Sequence, residues 1–188
     1  MSQTPAGART LLIGLANIVV DMEIQSRVEM LPENILRFSE DLRNGFTFHP
    51  VVVFFDGVHY WLADGFHRMT AYIKVAAVDP AYRDIACHVF EGSRQDAIAY
   101  SAGANIITTV ERTKADIQRA CDLLFALPTW TIKSHQLIAS HVRTSVTLVK
   151  KYRAEFHERT GTPYPDVVES VQGVLRRCRR PPAGPQSA

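Results

Sequence analysis

The chain has 188 residues, of which 46% are hydrophobic and 21% are charged. These proportions are typical of a globular protein and exclude a disordered or fibrous chain. The net charge is only +2, but residues 1–102 carry 8 Lys and Arg against 12 Asp and Glu, a balance of −4, whereas residues 103–188 carry 13 against 7, a balance of +6. A basic rear half predicts that any polyanion binds there.

Residues 1–102 alternate between strand-like and helix-like patterns, after a polar and loose first ten residues. Pro32 opens a helix that Asn44-Gly45 ends, and Asp56-Gly57 is a typical hairpin turn. In chain order the prediction is a buried strand within residues 11–20, a helix over 33–43, a hairpin over 51–63, a helix over 66–75, a strand over 85–90 and a helix over 93–102.

From residue 104 onward the strand signal disappears and three helices are predicted, over 114–127, from Ser134 to 141, and from Thr144 or Ser145 to 156. The fold class is therefore α+β in front and all-α behind. We divide the chain into a phosphate-binding domain at 1–102, a helix-turn-helix-like domain at 103–160 and a basic, flexible tail at 161–188.

Membrane insertion is not predicted, because the apolar residues 11–20 are about half as long as a bilayer span and are followed by Asp21 and Glu23. The three cysteines are too far apart for a metal site, and an odd number does not suggest a disulfide framework. A reducing compartment, and so a cytoplasmic protein, is the expectation.

The most informative segment is Asp64-Gly65-Phe66-His67-Arg68, which follows a predicted strand and opens a predicted helix. The unpaired amides of a helix start attract anions, and glycine lets an oxyanion approach the main chain. An arginine adds a planar fork of donors. The segment therefore predicts a phosphate site.

Ordinary structural roles remain open for the same residues. Asp64 could simply cap the helix, and His67 could be a hydrogen-bonded structural histidine. Arg68 could form an ion pair with Glu40 or Asp41.

The order strand, helix, hairpin and Asp-Gly-x-His-Arg resembles the ParB/sulfiredoxin superfamily. Residues 24–27, Ile-Gln-Ser-Arg, resemble the early Gln-x-Arg element of that family, and residues 45–50 match its "G…P" element before the hairpin. The resemblance implies binding of nucleotide phosphates. Sulfiredoxins carry a nucleophilic cysteine where this chain has Phe66, so peroxiredoxin repair is excluded. Chromosome-partition ParB proteins carry Gly-Glu-Arg-Arg, from which Phe66 and His67 depart.

The resemblance also implies roles for individual residues. Arg27 and Arg68 would hold phosphate oxygens, with Gly65 and the amides of Phe66 and His67 as the cradle. If the front domain is catalytic, charge gives the following set: Asp64, which would bind a divalent cation such as Mg²⁺ or orient a water, His67 as acid or base, Arg68, and Glu40 as a second carboxylate that faces the cleft. ATP is the expected nucleotide, with metal-assisted transfer to water.

Residues 138–153 fit a helix-turn-helix template, with Ala139 where the helices cross and Val149 buried ten positions later. Arg143 stands where such turns usually have glycine, so a positive φ is predicted there. The second helix could lie in a DNA major groove. The predicted DNA-binding residues are Arg143, Ser145, Thr147, Lys150, Lys151 and Arg153. A helical bundle that only packs on the front domain is the alternative.

The overall layout is similar to plasmid fertility-inhibition factors of the oncogenic suppression activity (Osa) type. This similarity implies an enzyme that hydrolyses nucleotide and cuts DNA, and that acts on the transferred strand or its conjugation relaxase complex. Two alternatives stay open: a non-catalytic DNA-binding partition or transcription regulator, and a small-molecule phosphotransferase of the serine-kinase type.

Overall fold

The structure is a computed structural model that describes residues 7–104 and 112–177. Its strands are β1 (Arg9–Gly14), β2 (Ile18–Val19), β3 (Val51–Phe55), β4 (Tyr60–Asp64), β5 (Asp84–Glu91), β6 (Val167–Glu169) and β7 (Leu175–Arg177). Its helices are α1 (Pro32–Arg43), α2 (Phe66–Ala76), α3 (Arg94–Gly103), α4 (Lys114–Ala126), α5 (Pro128–Thr131), α6 (His135–Val142) and α7 (Val146–Thr160). The α+β class predicted from the sequence is confirmed.

Five strands form one mixed sheet in the order β1-β5-β3-β4-β2. The central strand β3 runs parallel to β5 and antiparallel to β4, with which it forms the predicted hairpin. Val51, Val52 and Val53 are each at most 5% exposed, as expected for a strand covered on both faces. The hairpin turn is held by the Asp56 carboxylate, which accepts the N–H groups of Val58 and His59.

Local capping signals explain where the helices begin and end. Pro32 is at the first position of α1, and Gly45 follows its end with φ 82°. Capping boxes open α3 at Ser93 and α4 at Thr113, in each case with an aspartate three residues later. These ends agree closely with the boundaries predicted from the sequence.

One hydrophobic cluster joins the sheet to the rear helices across the boundary predicted at residues 102 and 103. It includes Ile13 and Val89 of the sheet as well as Leu124, Ile138 and Phe156 of the helices. At the junction, a ring nitrogen of His141 lies 2.7 Å from the Ala99 carbonyl oxygen, and a Cβ on Gly103 would meet the His141 ring at 2.7 Å. The front and rear parts therefore pack as neighbours in one core.

The strands differ from the prediction at both ends of the described chain. β1 begins at Arg9, inside the segment predicted to be loose, and residues 15–19 of the predicted first strand form a short 3₁₀ helix followed by β2. β6 and β7 pair within 161–177, which was predicted to be a flexible tail. Residues 105–111 and 178–188, which include Cys178 and the last part of the predicted tail, lie outside the described residues.

In the two described ranges, no helix is both long and apolar enough to cross a bilayer. Cys87 and Cys121 are buried free thiols, and burial raises the pKa of each to about 12. Neither thiol is therefore poised to react as a thiolate at neutral pH.

Candidate functional site

The loop after β4 has the strand–glycine–helix geometry predicted from the sequence. β4 ends at Asp64, Gly65 has φ 99°, and α2 begins at Phe66 with no side-chain cap. A Cβ at residue 65 would lie 2.5 Å from Cγ1 of Val51. Glycine is thus required twice, for its backbone conformation and for the close approach of β3. The loop brings the amides of the first turn of α2 to the edge of the sheet.

Arg68 is fixed by bonds to the protein itself. Its Nη1 donates to the carbonyl oxygens of His49 and Pro50 at 2.5 and 2.9 Å, and its Nη2 donates to Oδ2 of Asp64 at 3.1 Å. Its side chain is 19% exposed. The alternative ion pair with Glu40 or Asp41 is replaced by the pair with Asp64. Arg68 therefore connects the start of β3 to the start of α2.

His67 is held by the segment that precedes α1. Its Nε2 accepts the backbone N–H of Leu31 at 3.1 Å, so the neutral ring carries its proton on Nδ1. Burial and the nearby charge of Arg27 lower the pKa of His67. In the neutral ring Nδ1–H is a hydrogen-bond donor, and the predicted acid or base role of His67 stays a prediction.

The predicted Arg27 element is attached to the rear helices. Asp116 of α4 accepts the N–H of Val28 at 2.8 Å, and Arg119 donates to the carbonyl oxygens of Gln25 and Met22 at 2.7 and 3.1 Å. The charge of Arg27 contributes to lowering the pKa of both His67 and Asp116, so Arg27 is near both residues. Sequence reasoning missed Asp116 and Arg119, although the capping box of α4 marks Asp116.

The two predicted carboxylates occupy different places. Asp64 is at the loop, with its Oδ2 bonded to Arg68. Glu40 is exposed on α1, whose buried side is formed by Ile35, Ser39 and Leu42. Helix periodicity turns Glu40 away from the packed side of α1, and its predicted role as a second carboxylate stays a prediction. Among the described residues, no group of three His, Cys, Asp or Glu side chains could hold a metal.

Two residues near the loop escaped the sequence analysis. His88 of β5 is 6% exposed, and its Nδ1 lies 3.0 Å from Oγ1 of Thr10. Burial, followed by the charges of Arg68 and His49, lowers its pKa. Burial, followed by the charge of Asp64, raises the pKa of Tyr100. A strand histidine carries no local signal, since only the sheet pairing brings it beside Arg68.

The rear helices form the predicted helix-turn-helix. Ser134 caps α6 and Ser145 caps α7, each by accepting an N–H three residues later. Arg143 has φ 54° and is the only non-glycine residue with a positive φ in the described ranges. The prediction of a left-handed turn at residue 143 is thus confirmed.

The outward side of α7 agrees with the prediction except at Arg153. Ser145, Thr147, Lys150 and Lys151 are exposed. Arg153 is only 1% exposed, donates from Nη2 to the Lys133 carbonyl oxygen at 3.0 Å, and lies 4.9 Å from the centroid of the Phe125 ring. Its assignment as a DNA contact is corrected: residue 153 falls on the same side of the helix as the buried Val149 and Phe156.

No protein-family model matches the sequence, and neither does any curated protein. Solved structures do. The C-terminally truncated chromosome-partitioning protein ParB from Caulobacter crescentus, complexed to the centromeric parS site, is 12% identical over 80% of this chain and 78% of that chain, with a TM-score of 0.50.

The same Caulobacter protein complexed with CTP-γ-S is 12% identical over 81% of this chain and 87% of that chain, with a TM-score of 0.45. A Pnob8-like ParB-N domain is 13% identical over 90% of this chain and 57% of that chain, with a TM-score of 0.41. At these identities the similarity shows the fold alone. The support for the fold comes from the parS complex, with its TM-score of 0.50. The protein has a ParB-like fold.

Proposed function

We propose that the protein binds DNA through α7 and a nucleotide through the loop between β4 and α2. The observation that carries the proposal is the geometry at Gly65. This residue has a positive φ and lies close to Val51, and α2 begins directly after it with no side-chain cap. The exposed lysines of α7 support the DNA part. A protein of the same fold complexed to its parS site adds further support.

In the nucleotide site, each side chain has a limited task. The Nδ1–H of His67 and the amides of Phe66 and His67 would donate to phosphate oxygens, with Arg27 as the neighbouring positive charge. Arg68 would position the loop, because its donors already meet His49, Pro50 and Asp64. A Mg²⁺ ion would be held by Asp64 together with phosphate oxygens and water, a ligand set that this ion accepts. The bound ion would supply charge neutralisation.

Calorimetry with ATP and CTP, each with and without Mg²⁺, tests the nucleotide site. We expect binding by the wild type and a loss on the order of tenfold for Arg27→Ala, because a charge beside phosphate is removed. Arg37→Ala on the exposed face of α1 removes the same charge elsewhere and serves as the control. Absence of binding by the wild type with both nucleotides would overturn this part of the proposal.

The finer parts of the proposal come from the resemblance to ParB-like nucleases and Osa-type factors. They are hydrolysis of ATP, metal-dependent cutting of DNA and inhibition of conjugative transfer through the relaxase or the transferred strand in the donor cytoplasm. Incubation with plasmid DNA, single-stranded DNA and each nucleotide tests them. Phosphate release and strand cuts that need Mg²⁺ and disappear in Asp64→Asn would support an enzyme.

Binding of duplex DNA at several salt concentrations tests α7. Replacing Lys150 and Lys151 by alanine should weaken binding on the order of tenfold near physiological salt and reduce the log–log salt slope by about 0.9 for each phosphate that is no longer neutralised. The control is the double substitution of Arg37 and Arg43, which removes two charges from α1. Equal losses of affinity in the two variants would show a general charge effect.

A non-catalytic DNA-binding regulator is the second candidate. Two observations favour it: the Arg68 guanidinium contacts three protein acceptors, and the Nε2 of His67 accepts from Leu31. These bonds suit a loop that binds a ligand without driving hydrolysis. Nucleotide and DNA binding with no turnover of either would favour this candidate over the enzyme.

A further inference from the structure

The hairpin formed by β6 and β7 is fastened to the start of the helix-turn-helix. The N–H of Glu169 donates to the Ile132 carbonyl oxygen at 2.6 Å, and the N–H of Ser134 donates to the Glu169 carbonyl oxygen at 2.9 Å. Nζ of Lys133 lies 2.7 Å from Oε2 of Glu169. Residue 133 thus acts as a third, single-residue strand beside β6.

The segment that leads from α7 to the hairpin, and residue 133 beside β6, are both bonded to α7. Arg153 in the middle of α7 donates to the Lys133 carbonyl oxygen at 3.0 Å. At the end of α7, Nδ1 of His157 lies 2.7 Å from the Thr162 carbonyl oxygen, and its ring lies 4.1 Å from the ring of Tyr164. These contacts hold the connecting segment against the helix. The hairpin is therefore connected to α7 through residue 133 and through the segment that precedes β6.

The chain order from α4 to β7 is that of a winged helix-turn-helix. Helix α4 and the short α5 are followed by Lys133, which bridges β6 in the parallel sense, then by the two helices α6 and α7, and then by a two-stranded hairpin. In such an arrangement the hairpin stands beside the helix that enters the major groove, where a β-ribbon can contact the neighbouring DNA.

The charge of the hairpin suits an anionic partner. Residues 171–177 are all exposed, and they include Arg176 and Arg177 on β7. Between 167 and 177, the only acidic residue is Glu169, and it pairs with Lys133. Successive strand residues point to opposite sides, so the two arginines flank the ribbon and could reach both walls of a groove.

We propose that β6 and β7 form a wing that places Arg176 and Arg177 on DNA phosphates next to the site that α7 contacts. The inference rests on the DNA binding proposed above and adds a second, separate contact. Charge complementarity selects DNA as the occupant, because the arginines lie on the exposed strand and the one acidic side chain is already paired.

Duplex binding and hydroxyl-radical footprinting of the full chain test the wing. Replacing Arg176 and Arg177 by alanine should weaken binding on the order of tenfold near physiological salt and lower the salt slope by about 1.8, which is 0.9 for each phosphate that an arginine neutralises. The footprint should lose protection at its flank and keep its centre. The Arg37 and Arg43 double variant is the matched control, with an unchanged footprint.

The outcomes separate this inference from the proposed function. Wild-type protein that fails to bind DNA overturns both. A second outcome overturns only the wing. In it, substitution of Lys150 and Lys151 abolishes DNA binding, whereas substitution of Arg176 and Arg177 leaves the affinity and the footprint unchanged. Sedimentation of the variants gives the other decisive result: a dimer that dissociates when Arg176 and Arg177 are replaced would assign the hairpin to a second copy of the chain, and so overturn the wing.

Discussion

Arg68 in the loop after β4 and Arg176 in the terminal hairpin carry the same charge in different settings. Arg68 is largely buried and contacts two carbonyl oxygens and a carboxylate, whereas Arg176 is exposed on β7. The first arginine therefore connects β3 to the start of α2, and the second has exposed donors that the proposed DNA contact would use. An arginine beside a candidate phosphate site is not by that fact a ligand of the phosphate, since its bonds to the protein decide its role.

The largest effect expected in the front region comes from Gly65→Ala. The positive φ and the 2.5 Å approach of the added Cβ to Val51 should together lower the free energy of unfolding by about 3 kcal/mol. Gly45→Ala is the matched control, because φ is 82° there but nothing lies within 4 Å of the added Cβ. Urea unfolding should show a loss of only about 1 kcal/mol for that control. Equal losses of stability in the two variants would mean that the close approach of Val51 adds no cost at residue 65.

Arg68→Ala should lower the free energy of unfolding by about 2 kcal/mol, since the part-buried carbonyl oxygen of Pro50, the carbonyl oxygen of His49 and the Asp64 carboxylate lose their donor. Arg68→Lys should recover little of this, because one ammonium group does not reproduce the planar fork. Arg176→Ala is the comparison in the hairpin and should leave urea unfolding within about 0.5 kcal/mol of wild type. An Arg68→Ala variant with the same free energy of unfolding as the wild type would contradict the role of Arg68 in positioning the loop.

The rear region should lose stability in acid through His135. Burial and the charges of Arg153 and Lys150 lower the pKa of His135 to about 4. The unfolded chain takes up the proton near pH 6.5, before the folded chain does. Stability is therefore fully present above about pH 6.5 and is lost as the pH falls toward about 4, with a loss of about 1 to 2 kcal/mol at pH 5.

Urea unfolding of His135→Gln at about pH 7.5 and pH 5 checks this sign. The difference in stability between the two pH values should be smaller in the variant than in the wild type. The same substitution at the exposed His59, in the β3–β4 turn, controls for the change of residue type. If the variant loses as much stability on acidification as the wild type does, the pH dependence of stability comes from other histidines.

The smallest effect is a gain. Arg143→Gly should raise the free energy of unfolding by about 0.5 to 1 kcal/mol, because glycine adopts φ 54° without the steric cost of a side chain. If Arg143 also contacts DNA, the same variant should bind duplex more weakly while it melts at a higher temperature. A higher melting temperature together with weaker duplex binding would show that Arg143 serves a DNA contact rather than the stability of the fold.

Short-range signals predicted most helix ends, since a cap or a breaker acts within a few residues. Pro32, Ser93, Ser134 and Ser145 all lie at the ends where they were expected. The positive φ of Arg143 was also predictable, because its place in the helix-turn-helix template requires it.

Long-range pairings were not predictable in the same way. β1 is an edge strand whose Leu12 is 71% exposed, and it exists through pairing with β5 some 75 residues later. The terminal hairpin likewise depends on residue 133 of a distant segment. Asp116 reads as a helix cap in the sequence, and its second task of binding Val28 appears only when α4 is packed on the front region. Arg153 was misassigned because charge suggested a surface residue where helix periodicity places it inside.

The hydrophobic cluster that crosses residues 102 and 103 makes the loop at Gly65 and the helix α7 parts of one cooperative unit. A ligand that binds only the folded chain then protects the whole unit from unfolding. Nucleotide held at one end should therefore delay the melting reported by a probe on α7, even where the geometry of α7 is unchanged. The two proposed sites would be coupled through stability alone, and we expect a chain divided between residues 102 and 103 to lose both.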